Sequence, residues 1–402
     1  VPPNKRAAAE PNVRIHLLEI AQMSTTSAAP VDAASREAEL KAMYDAIHKG
    51  NLFPFWAKRS DVEHDEIKQL MDGVKAVPYR WGYKDQLEGL LHTSARLITA
   101  EDTDRRSLVL VNPGLAPKRA TVSTMYTAYR LNDPNEVMPP HKHTASAIRF
   151  GLTGNQNFTG VEGEDITFGP GDMVLTPRDT WHNHGNTGDE PAINLSVLDY
   201  PLVETLNALE FDHDYAEKGE KRKKQSARYP SEYSAKVYGS GGLMPRFVDH
   251  HRGVDASSPM FVYRYEPMRE MLEKHREWCE NPHEALLIEY VDPLKGGPVY
   301  STMTFFMQML RPGERTLPVK QTASLLVSPF EGRGHAIIDG QRFALDRFDT
   351  VAVPGGCWAE YVNDSATVPL IMFVASDEPA LKAFGLLKRW GRSEGGDIIS
   401  LI

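Results

Sequence analysis

Two short stretches concentrate the side chains able to do chemistry. Residues 139–150 read PPHKHTASAIRF and residues 177–186 read PRDTWHNHGN, so His141, His143, His182 and His184 form two His-x-His pairs. Strand side chains alternate between faces, which puts both imidazoles of a pair on one side. Neutral imidazoles suit divalent first-row metals, and three of them can take one triangular face of a coordination sphere. His141 and His143 supply two. The third must come from a strand distant in sequence but adjacent in a rolled-up sheet. His182 is preferred as that ligand and His184 is the competitor. We place His184 behind the ligands or on the substrate, because a fourth imidazole would crowd the open positions that chemistry needs. Arg149 lies six residues after His143. Parity turns it to the metal side, where its planar fork could pair with a carboxylate.

These residues need a β framework, and the sequence supplies one twice. From about residue 107, short β-rich runs such as SLVLVNP, AIRFGLTG and DITFGPGDMVLTP are separated by Gly, Pro, Asn and Asp, the texture of an antiparallel sandwich or barrel. A second such block runs from about 286 to 375. At an offset of 178, residues 123–146 lie over 301–324, so that Ser-Thr-Met, Pro134/Pro312, Glu136/Glu314 and Thr-Ala-Ser coincide. At an offset of 177, residues 161–186 lie over 338–363, matching Gly163/Gly340, Asp172/Asp349, Pro177/Pro354, Trp181/Trp358 and Asn186/Asn363. The repeat implies two related β domains. It is also an internal control: where the first copy has His141, His143, His182 and His184, the second has Val319, Gln321, Ala359 and Tyr361, and Val327 stands at the place of Arg149. The fold alone therefore does not require these residues.

Before the repeat, Leu40, Tyr44 and Ile47 share a helical face over 34–49, and SDVE after Ser60 has capping-box form, with Ile67, Leu70 and Met71 facing inward. A further helix is expected at PMREMLEKHREWC. The chain has 402 residues, enough for two or three domains, and a net charge of −9, which disfavours general binding to nucleic acid or anionic membranes. The basic run Lys221–Lys224 reads as a solvated linker. Two cysteines, Cys279 and Cys357, cannot staple a fold of this size, and a reducing cytoplasm is the expected setting. No stretch reaches the ~20 apolar residues of a membrane helix. The first 22 residues are not expected to be a secretion signal, and Met23 suits a natural initiator.

The stretches MPPHKHTASAIRF and GPGDMVLTPRDTWHNHGN together resemble the two cupin motifs. Gly171, Pro177, His182 and Asn186 fall at the cupin spacing, with Asp179 in place of an inner glycine; the glutamate of the first motif is missing after His143. Its loss leaves a three-histidine site with more open positions. The paired layout, the histidines, Arg149 and LDYPLVETLNA (198–208) resemble the gentisate 1,2-dioxygenase family, which includes salicylate and 1-hydroxy-2-naphthoate ring-cleaving relatives. The likeness runs from about Trp56 through the second copy.

That resemblance implies a mainly β bicupin, two double-stranded β-helix barrels behind an N-terminal helical region. The expected divisions are 1–100 for that region, 101–210 for a metal-bearing cupin, 211–285 for a linker with a helix, and 286–402 for a metal-free cupin with a C-terminal tail. It implies Fe(II) on His141, His143 and His182, and an extradiol-type oxidoreductase of aromatic hydrocarbon catabolism. The reaction would insert O2 between the carboxyl- and hydroxyl-bearing carbons of a hydroxybenzoate such as gentisate, giving maleylpyruvate. Arg149, His184 and Asp199 would be catalytic, with Asp199 orienting His184. The substrate would meet Arg105 or Arg106 and the strand face of Tyr126, Ala128 and Arg130; the family typically has Gln where this chain has Arg130, which could add a second charge clamp. A homo-oligomer, by resemblance a homotetramer, is expected, with the second cupin as support and interface. The competing readings are salicylate, a substituted salicylate or 1-hydroxy-2-naphthoate as substrate, a metal-dependent cupin isomerase, or a non-enzymatic bicupin binding protein.

Overall fold

The computed structural model describes residues 33–50, 75–98, 106–222, 224–241, 257–278 and 281–402, with positions 52, 54, 56, 243 and 245. They belong to two units, one ending at Val74 and one running from Lys75 to Ile402. In the first, helix Ala33–Lys49 carries Tyr44 as a buried side chain, flanked by the half-buried Leu40 and Ile47. The helix expected after Ser60 lies outside the described residues.

The second unit is a bicupin. Each barrel has a six-stranded sheet whose strands follow one order. In the first this is Val262–Tyr263, Met173–Thr176, Ala147–Thr153, Ala192–Leu198, Tyr126–Asn132, Ser107–Val109; in the second, Tyr79–Trp81, Thr350–Val353, Leu325–Glu331, Leu370–Ser376, Thr304–Leu310, Leu286–Glu289. Facing strands complete each barrel. The strand His182–Asn186 pairs with Asn157–Val161 in the first, and Trp358–Asn363 pairs with Gly334–Ile338 in the second. The shared glycines have a physical reason. Glu162-Gly163 and Asp339-Gly340 both have positive φ, 49° and 83° against 46° and 81°, in the two-residue hairpin turn that matches strand twist.

The outer strand of each large sheet comes from the segment preceding the other barrel. Tyr79–Trp81 pairs with Thr350–Ala352 of the second barrel, and Val262–Tyr263 with Met173–Val174 of the first. An aspartate anchors each exchange: Asp349 accepts from Arg80 Nε at 2.7 Å and Tyr83 N at 2.8 Å, and Asp172 accepts from Arg264 Nη1 at 2.7 Å and Tyr265 N at 2.9 Å. Residues 75–98, read from the sequence as part of an N-terminal helical region, therefore belong with the β unit. Only the helix Glu88–Leu97 and a π-turn before it are helical there. The helix Tyr265–His275 falls where one was expected.

The two large sheets share one apolar core, with Phe150 stacked on Phe373 at 4.3 Å between centroids and Tyr129 Oη donating to the Phe348 carbonyl at 2.5 Å. Burying aromatics of this size is the main favourable term in such an interface. Among the described residues no helix is long and apolar enough to cross a membrane.

Candidate metal centre and substrate cavity

The first histidine pair straddles Lys142, which points the other way, its amino group 5.2 Å from the Trp181 ring centre. His141 and His182 exchange both backbone hydrogen bonds at 2.9 Å, so distant segments place their rings 4.4 Å apart. The His143 ring lies 4.8 Å from His182, and the His184 ring 5.1 Å from His182. All four are buried.

Their hydrogen bonds separate them into two kinds. The Nδ1 atoms of His143 and His182 rest on the carbonyls of Ala145 and Thr180 at 2.7 and 2.8 Å, and that of His141 on Pro139 at 3.3 Å. A carbonyl only accepts, so these nitrogens carry the protons and each Nε2 keeps its lone pair, the tautomer of a metal ligand. His182 Nε2 is fully buried with no partner. Such an orphan is costly unless an ion occupies its lone pair, so the residues fit a metal. Burial, and then the neighbouring His141 and His143, hold the His182 ionisation well below its usual range and keep the ring neutral. His184 differs. Its Nε2 accepts from Arg149 Nη2 at 2.8 Å, which leaves Nδ1–H to donate to Thr159 at 3.0 Å. Burial and then Arg149 lower its ionisation too. One ligand atom each from His141, His182 and His184 also lie within 4.8 Å of one another. Among the described residues this is the trio whose ligand atoms meet at that distance; His143, expected as a ligand, stands outside it with its ring 5.8 Å from that of His141, while His184 would have to release Arg149 to serve as a ligand.

His141, His143 and His184 border a cavity of about 390 Å³, and His182 lies behind its lining. Ala128, Ser196 and Arg149 form one row across three strands, with Tyr126 and Arg130 two residues to either side of Ala128. A larger, more open groove of about 740 Å³ beside helix Tyr265–His275 has no histidine in its lining.

Several expected residues occupy other places. Arg105 lies outside the described residues. Arg106 does not line the cavity: it donates to the carbonyls of Ala95 and Ile98 at 3.2 and 2.8 Å, closing the end of helix Glu88–Leu97, and to Asp133 and Glu136 at 2.7 Å. Asp199 does not orient His184. It accepts from Ser146 N at 2.7 Å and Thr302 Oγ1 at 2.5 Å, and its repeat mate Asp377 accepts from Ser324 N at 2.7 Å and Thr124 Oγ1 at 2.5 Å. The two aspartates form reciprocal clasps between the barrels. Burial pushes the Asp199 carboxyl up to about 6.

Sequence reasoning missed Arg119, Tyr200 and Phe211, which line the cavity. Arg119 donates to Tyr200 Oη at 2.7 Å. Phe211 pairs with His143 in strand register, and their rings lie 5.6 Å apart. The His213 ring stacks 5.9 Å from His141.

Fold and site thus define a two-barrel cupin with an imidazole cluster in one barrel. The cupin domain family matches residues 131–198. The chain is 34% identical over 350 residues to gentisate 1,2-dioxygenase 1 of Aquipseudomonas alcaligenes, covering 86% of this chain and 95% of that protein. It is 31% identical to a 1-hydroxy-2-naphthoate 1,2-dioxygenase of Nocardioides sp. (strain KP7), over 81% and 82% of the two chains. The crystal structure of salicylate 1,2-dioxygenase from Pseudoaminobacter salicylatoxidans with gentisate superposes with a TM-score of 0.76 at 26% identity, over 92% of this chain and 98% of that one. The chain belongs to the gentisate 1,2-dioxygenase family of bicupin ring-cleaving dioxygenases. It is an oxidoreductase, which sets aside the isomerase and non-enzymatic readings.

Proposed function

We propose that the protein is an Fe(II)-dependent dioxygenase that opens the ring of a hydroxybenzoate between its carboxyl- and hydroxyl-bearing carbons, with gentisate the first substrate to try. The observation that carries this reading is a set of three imidazoles, His141, His143 and His182, whose Nδ1 atoms sit on backbone carbonyls while Arg149 faces the same cavity. These three would hold the metal. Bound there, Fe(II) would supply a redox-active Lewis acid.

Arg149 binds the substrate carboxylate through its planar fork. His184 positions Arg149: it accepts from Nη2 and is itself fixed through Thr159. Tyr126, Tyr200 and Phe211 give the ring an aromatic wall that keeps water away from one side of the cavity. Binding by this chain thus fixes the carboxylate end of the ring against the imidazole cluster, so that orientation replaces a chance encounter. With gentisate the product is maleylpyruvate, which retains both oxygen atoms. Salicylate and its substituted forms undergo the same bond cleavage and remain alternative substrates. Two curated relatives at 29% and 27% identity are named for 5-aminosalicylate and 5-nitrosalicylic acid, and the 29% relative is covered over 91% of its length.

The test is anaerobic loading with ferrous iron followed by oxygen-uptake traces with gentisate and salicylate. Stoichiometric uptake with the rise of an oxo-diacid absorbance is expected. No uptake with any hydroxybenzoate would remove the reading.

A further inference from the structure

The described residues lining the cavity include three arginines, Arg119, Arg130 and Arg149, and no carboxylate. One benzoate carboxylate is satisfied by one guanidinium fork, and Arg149 has that role above. Arg119 sits exposed at the mouth, against the Tyr200 ring.

Arg130 stands apart from both. It is 4% exposed and fixed from behind, with Nε donating to Asn132 Oδ1 and Nη2 to Glu136 Oε1 at 2.8 Å. Glu136 does not line the cavity, and Arg106 claims its other oxygen at 2.7 Å. Burying a guanidinium calls for anionic compensation, and Arg130 shares the Glu136 carboxylate with Arg106, which also pairs with Asp133. A side chain already held in place also loses little freedom when it meets a ligand. The second barrel has neutral Gln308 at this point of the repeat, in the same strand register, so the fold does not demand a cation there.

The spacing suits a substituted ring. Arg130 and Arg149 stand on strands separated by the strand of Ser196 and are offset by two residues along them. At ~4.8 Å between strands and ~3.4 Å per residue, their Cα atoms are about 12 Å apart. Both side chains line the cavity, and this separation of their strand positions is on the scale of a ring with substituents at both ends.

We propose that the preferred substrate carries, besides the carboxylate bound by Arg149, a second ionised carboxylate on the opposite ring edge, and that Arg130 is its partner and the specificity-determining residue. This rests on the hydroxybenzoate reading above. The test compares salicylate, gentisate, 4-carboxysalicylate and 5-carboxysalicylate on the iron-loaded protein, by kcat/KM and by calorimetric Kd under nitrogen. One of the two dicarboxylates should bind and turn over at least about tenfold better than salicylate. Arg130→Gln should cut that preference about tenfold or more, and Arg130→Lys should keep part of it. Equal or better binding of the monocarboxylates by the unaltered protein, which needs no variant to fold, would overturn the proposal while leaving ring cleavage intact. So would a preference that Arg130→Gln does not change. Failure of all four compounds to bind or react would remove both this proposal and the reading beneath it.

Discussion

In the first barrel His141 bridges His182; in the second, Val319 pairs with Ala359 in the same register. Two residues further along, His184 faces Thr159 where Tyr361 faces Ala336. Tyr361 sits in an apolar cluster with Ala336, Ile338 and Ala359, its hydroxyl buried without a partner. What the barrels share does structural work in both. Asn186 and Asn363 each tie a loop by donating to a carbonyl a few residues on, Glu190 at 2.7 Å and Val368 at 2.9 Å. Asp172 and Asp349 anchor the exchanged strands, and Asp199 and Asp377 clasp the halves. What they do not share is the imidazole cluster with its arginines, which the second barrel folds without.

Changes in the cluster should have the largest effects and leave folding intact. His182→Ala should abolish iron retention, measured by metal content per chain, and lower turnover at least ~100-fold, because an emptied ligand position has no substitute. His143→Ala should lose iron likewise, whereas His184→Ala should keep iron and lose substrate affinity; the reverse outcome would make His184 the third ligand. Arg149→Ala should retain iron and raise KM by roughly 30- to 100-fold, the worth of about 2–3 kcal/mol for a charge-assisted pair.

Changes in the shared framework should act on stability and act alike in the two halves. Thr302→Val and Thr124→Val each remove one donor from a buried carboxyl and should cost about 1–3 kcal/mol in denaturant unfolding, by similar amounts. Burial raises the folded-state Asp199 carboxyl to about 6, above its ordinary 3.8. Its contribution is therefore complete below about pH 4 and lost as pH rises to about 6. Relative to the unaltered protein, Asp199→Asn should fare better at pH 7.5 than at pH 4, by on the order of 3 kcal/mol at most. A difference between the two proteins that does not change with pH would contradict this effect of burial. The smallest effect belongs to Tyr361→Phe, which deletes an unpartnered hydroxyl and should be neutral or stabilising by up to about 1 kcal/mol in midpoint denaturation.

Much of this was legible because the repeat compares the chain with itself. Gly163 and Gly340 mark the same tight hairpin, and the four histidines stand out where the second copy drops them. The same comparison would have reassigned Asp199, whose mate Asp377 persists in the barrel that lacks the histidines; a residue kept there serves the fold. Other features had no local signal. The exchange of Tyr79–Trp81 and Val262–Tyr263 between barrels is decided by which sheet edge each strand meets, and strands of two or three residues carry too little periodicity to show it. Arg106 and Arg130 look alike as letters. Only the helix end beneath one and the cavity before the other separate them.

The exchanged outer strands also bind the fate of the two halves together. A gene cut between its halves would yield fragments that each present an unpaired row of backbone donors and acceptors, prone to sticking to whatever strand comes by. Each half thus shields the other's border, and the half without the histidine cluster cannot be removed without stripping an outer strand from the half that has it.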